Sequence, residues 1–113
     1  MCMKITLKNV IGINQQFDEG IIINEGSLAF ALSSIQKSQD WMEQVACLLR
    51  ALLIDHAFRD GNKRTATAIL LSALERQKFS FHPEEIPQLT LKISKNNIRD
   101  IKAIKKEITL LVY

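Results

Sequence analysis

Apolar positions are densest in two stretches near the middle of the chain. Between Trp41 and Ile54 nearly every residue is apolar, and Glu43, Gln44 and Arg50 are almost the only polar groups. Such a pattern over about four turns predicts a helix set inside a core, with Asp40 as its N-cap and Glu43 completing a capping box. A second stretch, RTATAILLSALERQKF (64–79), is apolar on nearly all sides from Ala68 to Leu74 apart from Ser72, which predicts a second central helix. The segment between them, HAFRDGN (56–62), is then a connecting loop, and Asn62 is the expected N-cap of the helix that follows.

The flanking pattern is helical too. ITLKNVIGINQQF (5–17) and GSLAFALSSIQK (26–37) read as helices upstream. Downstream, PEEIPQLTLKIS (83–94) reads as a helix whose start Pro87 leaves open, and a last one runs from Asn97 as N-cap to about Leu111. The best strand candidate is GIIIN (20–24), in which Ile21, Ile22 and Ile23 lie between Gly20 and Asn24. One short strand makes no sheet, so the expected class is mainly α with a short β flap at 20–24.

At 113 residues, 47% hydrophobic and 24% charged, the chain has the size and balance of one globular domain spanning 1–113. The net charge of +3 comes from 15 basic residues interspersed with 12 acidic ones. That surplus is too mild, and the single Trp and Tyr too few, to make a nucleic acid the expected partner. In the most basic run, IRDIKAIKKEI (98–108), isoleucines at 98, 101, 104 and 108 are helically spaced, which puts the lysines on a solvated face. Cys2 and Cys47 suggest neither a disulfide framework nor a thiolate site, and Cys47 reads as a small buried hydrophobe. No signal-peptide pattern is seen and no apolar run approaches membrane-spanning length, so the expected compartment is the cytoplasm.

The loop carries the chemistry. The first turn of a helix offers unpaired N–H groups and the positive end of its dipole, and Lys63 and Arg64 add two cations there. Phosphate is the ligand class this favours. Asp60 would be repelled by that phosphate unless a cation lay between them, and one carboxylate with phosphate oxygens is how Mg²⁺ is usually held. His56 is placed to act as a general base. Gly61 allows a close turn, and Phe58 would anchor the loop in the core. Other motifs fail. The run into Lys63 lacks the glycine spacing of a P-loop, Asp55-His56 is in the wrong order for a metal phosphohydrolase, and His82 has no partner at ligand spacing, so no zinc site is expected.

His56-Ala57-Phe58-Arg59-Asp60-Gly61-Asn62-Lys63-Arg64 resembles the signature of the Fic/Doc proteins, His-x-Phe-x-Asp/Glu-Gly/Ala-Asn-Gly/Lys-Arg, and the wider likeness runs roughly from Ser27 to Phe81. The resemblance implies a helical core that moves AMP or phosphate from ATP to a hydroxyl of a target protein. It makes His56 the base, Asp60 the Mg²⁺ ligand and Phe58 the structural anchor of the loop. Gly61, Asn62, Lys63 and Arg64 would hold the phosphates. A flap before the catalytic helix would dock the target segment as an added strand, a role that falls to Ile21, Ile22 and Ile23.

Lys63 where AMP-transferring members have Gly, and Thr67 where they have a second Arg, resemble the Doc branch of protein kinases and toxins, while Gly61 is the Fic choice. The inhibitory Ser/Thr-x-x-x-Glu-Gly/Asn pattern is not matched, since Ile21 precedes Glu25-Gly26 at the wrong residue type. Any restraint on activity is therefore expected from a separate antitoxin or inhibitor protein. The leading expectation is a Doc-like kinase using ATP and Mg²⁺. The alternatives are an AMP transferase and a catalytically silent nucleotide- or protein-binding domain, against which the intact His56 argues.

Overall fold

The computed structural model describes residues 5–113, so Cys2 lies outside the described residues. Six α-helices follow one another: α1 Leu7–Asn14, α2 Glu25–Lys37, α3 Trp41–Leu53, α4 Asn62–Arg76, α5 Ile86–Lys95 and α6 Ile101–Leu111. No β-sheet forms among the described residues, and the mainly α class holds.

The two most apolar segments form the centre, as their patterns require. Helix α3 packs against α2, α4, α5 and α6, and α4 packs against α1 and α5 as well. Leu48, Leu49 and Leu52 of α3 and Leu70 and Leu74 of α4 are wholly buried. Burying each such side chain contributes on the order of 1.5–3 kcal/mol, so this pair of helices anchors the rest. Gln44, also buried, donates from Nε2 to the carbonyls of Ile35 and Ser38 (3.0 and 3.2 Å), tying α3 to the end of α2. Cys47 is buried and its thiol pKa is pushed up by burial, as suits a small core residue. In α6, Ile104 and Ile108 are buried and Ile101 half-buried, as is Ile98 just before the helix, while Lys102 and Lys106 face solvent.

Several element ends differ from the sequence pattern. Asp40 does cap α3, accepting from Met42 N–H at 3.0 Å, but no capping box forms because the Asp40 N–H goes to Ser38 Oγ at 3.1 Å. The N-cap of α6 is Asp100, accepting from Ala103 N–H at 3.3 Å, and not Asn97. Asn97 instead takes a left-handed turn (φ 49°) just past α5, a conformation its short amide tolerates. Pro87 sits in the first turn of α5, where its missing N–H costs nothing, after a 3₁₀ turn at Pro83–Glu85. GIIIN forms no strand. It makes a single antiparallel bridge, Ile22 to Phe58, after a left-handed turn at Gly20.

Candidate active site

The chain leaves α3 through a left-handed turn at His56 (φ 49°), closed by the Ala57 N–H bonding back to the Ala51 carbonyl at 3.1 Å. This turn throws the imidazole outward, where it is exposed and makes no hydrogen bond or ion pair among the described residues. The next side chain but one goes the other way. Phe58 is fully buried and pins the loop to the core, as its place in the motif suggests.

Asn62 does not cap α4 with its side chain. It is the first residue of the helix, and its amide clasps Phe58, accepting from the Phe58 N–H at 3.0 Å and donating to the Phe58 carbonyl at 2.9 Å. The N-cap is Gly61, in the left-handed region at φ 76°. A side chain there would be strained by that φ and would crowd Asn14 Nδ2, which would lie 3.1 Å from an added Cβ. Asn62 can offer a phosphate its backbone N–H, beside those of Lys63 and Arg64 in the open first turn.

Asn14 is the residue the sequence reading missed. Wholly buried at the end of α1, it donates from Nδ2 to the Asp60 carbonyl (2.9 Å) and to Thr65 Oγ1 (3.1 Å), and its Oδ1 accepts from the Gly20 N–H (2.9 Å). One amide thus joins α1, the loop, α4 and the start of the 20–24 segment. Its only signal in the sequence is a polar residue four places after Val10 on the buried side of α1.

The segment 20–24 lies directly on the loop. The Ile23 and Asn24 N–H groups donate to the Ala57 carbonyl (2.9 and 3.2 Å), and the Arg59 N–H donates to the Ile21 carbonyl (2.8 Å). Ile22 is half-buried, whereas Ile21 and Ile23 point outward. Arg59 adds ion pairs to Asp18 (3.1 Å) and Glu19 (3.3 Å), and its hydrogen bonds and charge contact with Asp18 hold its pKa further up.

These constraints open a cavity of about 450 Å³. His56, Asp60, Gly61, Asn62, Lys63 and Arg64 all line it, with Phe17 and Ser94 as additions the sequence did not suggest. Ile21, Ile22 and Ile23 do not line it. Lys63 and Arg64 are exposed and make no ion pair among the described residues, so two unneutralised cations stand at the positive end of α4. Thr67 contributes no charge one turn on, since its hydroxyl donates to the Lys63 carbonyl at 2.9 Å.

The donor set fits a magnesium ion shared with phosphates. Asp60 accepts from the Gly61 N–H through Oδ1 at 2.8 Å, which fixes the carboxylate and leaves Oδ2 open. Asp55 is engaged elsewhere, accepting from Ser27 Oγ at 2.6 Å and pairing with Arg99 at 3.0 Å. No group of three or more His, Cys, Asp or Glu among the described residues could hold a metal by itself. One carboxylate completed by phosphate oxygens and water is the usual arrangement for Mg²⁺.

Fold and site together define a helical domain whose central loop ends at an open helix start beside two free cations. A model of the Fic/DOC family matches residues 7–74, from α1 through the loop to the last turn of α4. The chain belongs to the Fic/DOC family, whose members transfer AMP or phosphate to target proteins, typically from ATP. That model spans both branches of the family. No curated protein and no solved structure matches the chain.

Proposed function

We propose that the protein is a cytoplasmic, Doc-like protein kinase, transferring the γ-phosphate of ATP to a hydroxyl of a target protein. The observation that carries this reading is the cation pattern on α4. Lys63 and Arg64 are free at the start of the helix, and the next turn offers only a Thr67 hydroxyl folded back on the backbone. Positive charge is therefore concentrated at the start of α4, where Lys63 and Arg64 share a cavity with His56, and Thr67 adds none one turn on. That suits charge developing on a terminal phosphate next to the base, with the rest of the nucleotide leading away.

In the proposed step, a neutral imidazole nitrogen of His56 takes the proton of the target hydroxyl. The hydroxyl oxygen forms a bond to the γ-phosphorus while the bond from that phosphorus to the bridging oxygen breaks, and ADP leaves with the bonding electrons. The proton then passes from His56 to solvent. Lys63, Arg64 and the first N–H groups of α4 hold the phosphates. Mg²⁺ held by Asp60 would offset charge on the phosphate oxygens.

A target segment is proposed to dock on 21–23. The Ile21 carbonyl and the Ile23 N–H are spent on the loop, while Ile22 makes no backbone hydrogen bond among the described residues. Its N–H and carbonyl offer a short outer edge to an extended peptide. Restraint by an antitoxin or inhibitor protein is proposed on the unmatched inhibitory pattern alone.

The test is the fate of label. ATP labelled at the γ-position should mark the target, and ATP labelled at the α-position should not. The reverse result would replace the kinase by an AMP transferase, and label from neither, with the target shown to bind, would leave a silent binding domain.

A further inference from the structure

His56 is left-handed at φ 49° and held by no contact of its own. Neither its imidazole nor its backbone N–H or carbonyl makes a hydrogen bond among the described residues. A non-glycine residue left to itself relaxes to a negative φ, and the strained form persists only where the surrounding chain dictates it. The residue before His56 is held at every polar group. The Asp55 N–H donates to the Arg50 carbonyl (3.2 Å), and the Asp55 carbonyl accepts from Asn24 Nδ2 (3.0 Å). Its carboxylate accepts from Ser27 Oγ through Oδ2 (2.6 Å) and from Arg99 Nη2 through Oδ1 (3.0 Å).

We infer that Asp55 is the positioning residue of His56: its carboxylate, gripped from α2 and from the α5–α6 connection, fixes the chain one residue before the base and so sets the direction in which the imidazole leaves the backbone. The inference rests on the transfer reading, in which His56 is the base, and adds what fixes that base. The donors come from parts of the chain far apart in sequence. Ser27 lies in the first turn of α2 and Arg99 between α5 and α6. Arg99 is itself placed by Arg50 of α3, whose Nη1 donates to the Arg99 carbonyl (3.4 Å). On the far side of His56 the Ala57 carbonyl accepts from the Asn24 N–H (3.2 Å), so Asn24 holds the carbonyls of both neighbours.

Stability alone is a poor reason for this cluster. The Asp55 side chain is 21% exposed and that of Arg99 56%, and an ion pair so open to water contributes little to folding. Its contribution is geometry. A hydroxyl on one carboxylate oxygen and a guanidinium on the other fix the rotation of the group, while the two backbone contacts fix the chain that carries it. An aspartate matches two donors with two acceptors. An amide would turn an N–H toward one of them, and an apolar residue would leave both without a partner. A base works only within hydrogen-bond reach of the proton it takes, and a misplacement of about 1 Å costs up to about 10²-fold in rate.

The test reads His56 by NMR in the wild type, Asp55→Ala, Arg99→Ala and Arg99→Lys. A strong cross-peak between the amide proton and Hα of residue 56 marks a positive φ, and it depends on neither nucleotide nor target. Expected is a clear fall of that cross-peak in Asp55→Ala, a smaller fall in Arg99→Ala and a return to the wild-type level in Arg99→Lys, whose ammonium restores the pair. Affinity for ATP with Mg²⁺ should change by less than about twofold, because Lys63 and Arg64 are untouched. Label transfer from ATP to the target should slow by about tenfold or more in Asp55→Ala at saturating ATP. An unchanged cross-peak in Asp55→Ala would overturn the inference and leave the transfer reading standing. If that variant fails to fold, the double variant Ser27→Ala/Arg99→Ala removes both donors instead, and an unchanged cross-peak there would overturn the inference in the same way. A fall in Arg99→Ala that Arg99→Lys does not reverse would assign the effect to packing of the arginine stem and overturn the carboxylate grip. A freed His56 with transfer at the wild-type rate would overturn the base role of His56 and this inference with it.

Discussion

His56 takes a left-handed backbone conformation, φ 49°, two residues past the C-cap of α3. A non-glycine residue there costs roughly 1 kcal/mol, and nothing in the contacts of the exposed imidazole offsets it. The role of base proposed for His56 would account for a strained residue at this place. His56→Gly should therefore abolish transfer, by about 10²-fold or more, while leaving the thermal midpoint level or raised by a few degrees. A clear fall in the midpoint would make His56 a structural residue. Gly61→Ala should do the opposite to stability, because the added Cβ meets Asn14 Nδ2 at 3.1 Å in a left-handed backbone. The expected cost is about 1–2 kcal/mol, read as a lowered unfolding midpoint. An unchanged midpoint would show that this loop can relax. At this scale the lining of the site was legible, since His56, Asp60, Lys63 and Arg64 carry reactive groups in a short run. Asn14 was not, because what it does depends on three segments meeting in space and nothing adjacent in the chain announces it.

At the scale of elements, hydrophobic spacing located the helices and their ends were misread where two polar residues competed for one cap. Asn62 and Asn97 both look like N-caps in isolation. In the structure each amide or backbone is used by the preceding segment, Asn62 to clasp Phe58 and Asn97 to turn the chain out of α5, so the caps fall to Gly61 and Asp100. GIIIN has strand composition but only Ala57–Arg59 to pair with, because the loop turns left-handed at His56 and Gly61 on either side. The Asp40 cap has a further consequence. Its carboxylate accepts from Lys105 Nζ at 2.5 Å, joining the start of α3 to α6, and that hydrogen bond lowers the Asp40 pKa from its ordinary 3.8 while the Lys105 pKa is raised. A carboxyl with a lowered folded-state pKa stabilises above its unfolded value, and the contribution is lost as pH falls through the folded one. Asp40→Asn keeps a capping oxygen and removes the charge. The wild type should exceed it in thermal midpoint at about pH 6 by a small margin, since the pair is well exposed and worth under about 1 kcal/mol. That margin should shrink below pH 3.8 and in high salt. A margin that stayed constant into acid would assign the effect to capping alone.

For the whole molecule, the part that matches the family and the part that completes the core are not the same. The match covers residues 7–74 and so includes every loop residue of the candidate cavity, while α5 and α6 lie beyond it. Yet α3, whose end delivers His56, packs on α6 and α5 as well as on α2 and α4. Ile93, Ile104 and Ile108, all wholly buried, close that side of α3. The isoleucine spacing in 98–108 made α6 legible from the sequence as an amphipathic helix, but periodicity says which face is apolar and not which helix it meets. The two roles separate in Ile104→Ala. Removing this side chain from a close-packed core costs about 2–5 kcal/mol by lost transfer energy and the cavity left behind, so the urea midpoint should fall markedly. None of the residues lining the candidate cavity is touched, and the loop remains held by Asn14, Phe58 and Asn62. Under conditions where the variant is still folded, its transfer rate per folded molecule should equal that of the wild type. A rate that fell in step with stability would mean instead that the posture of His56 is set by the packing of α6 against α3, and that the C-terminal helices belong to the catalytic machinery.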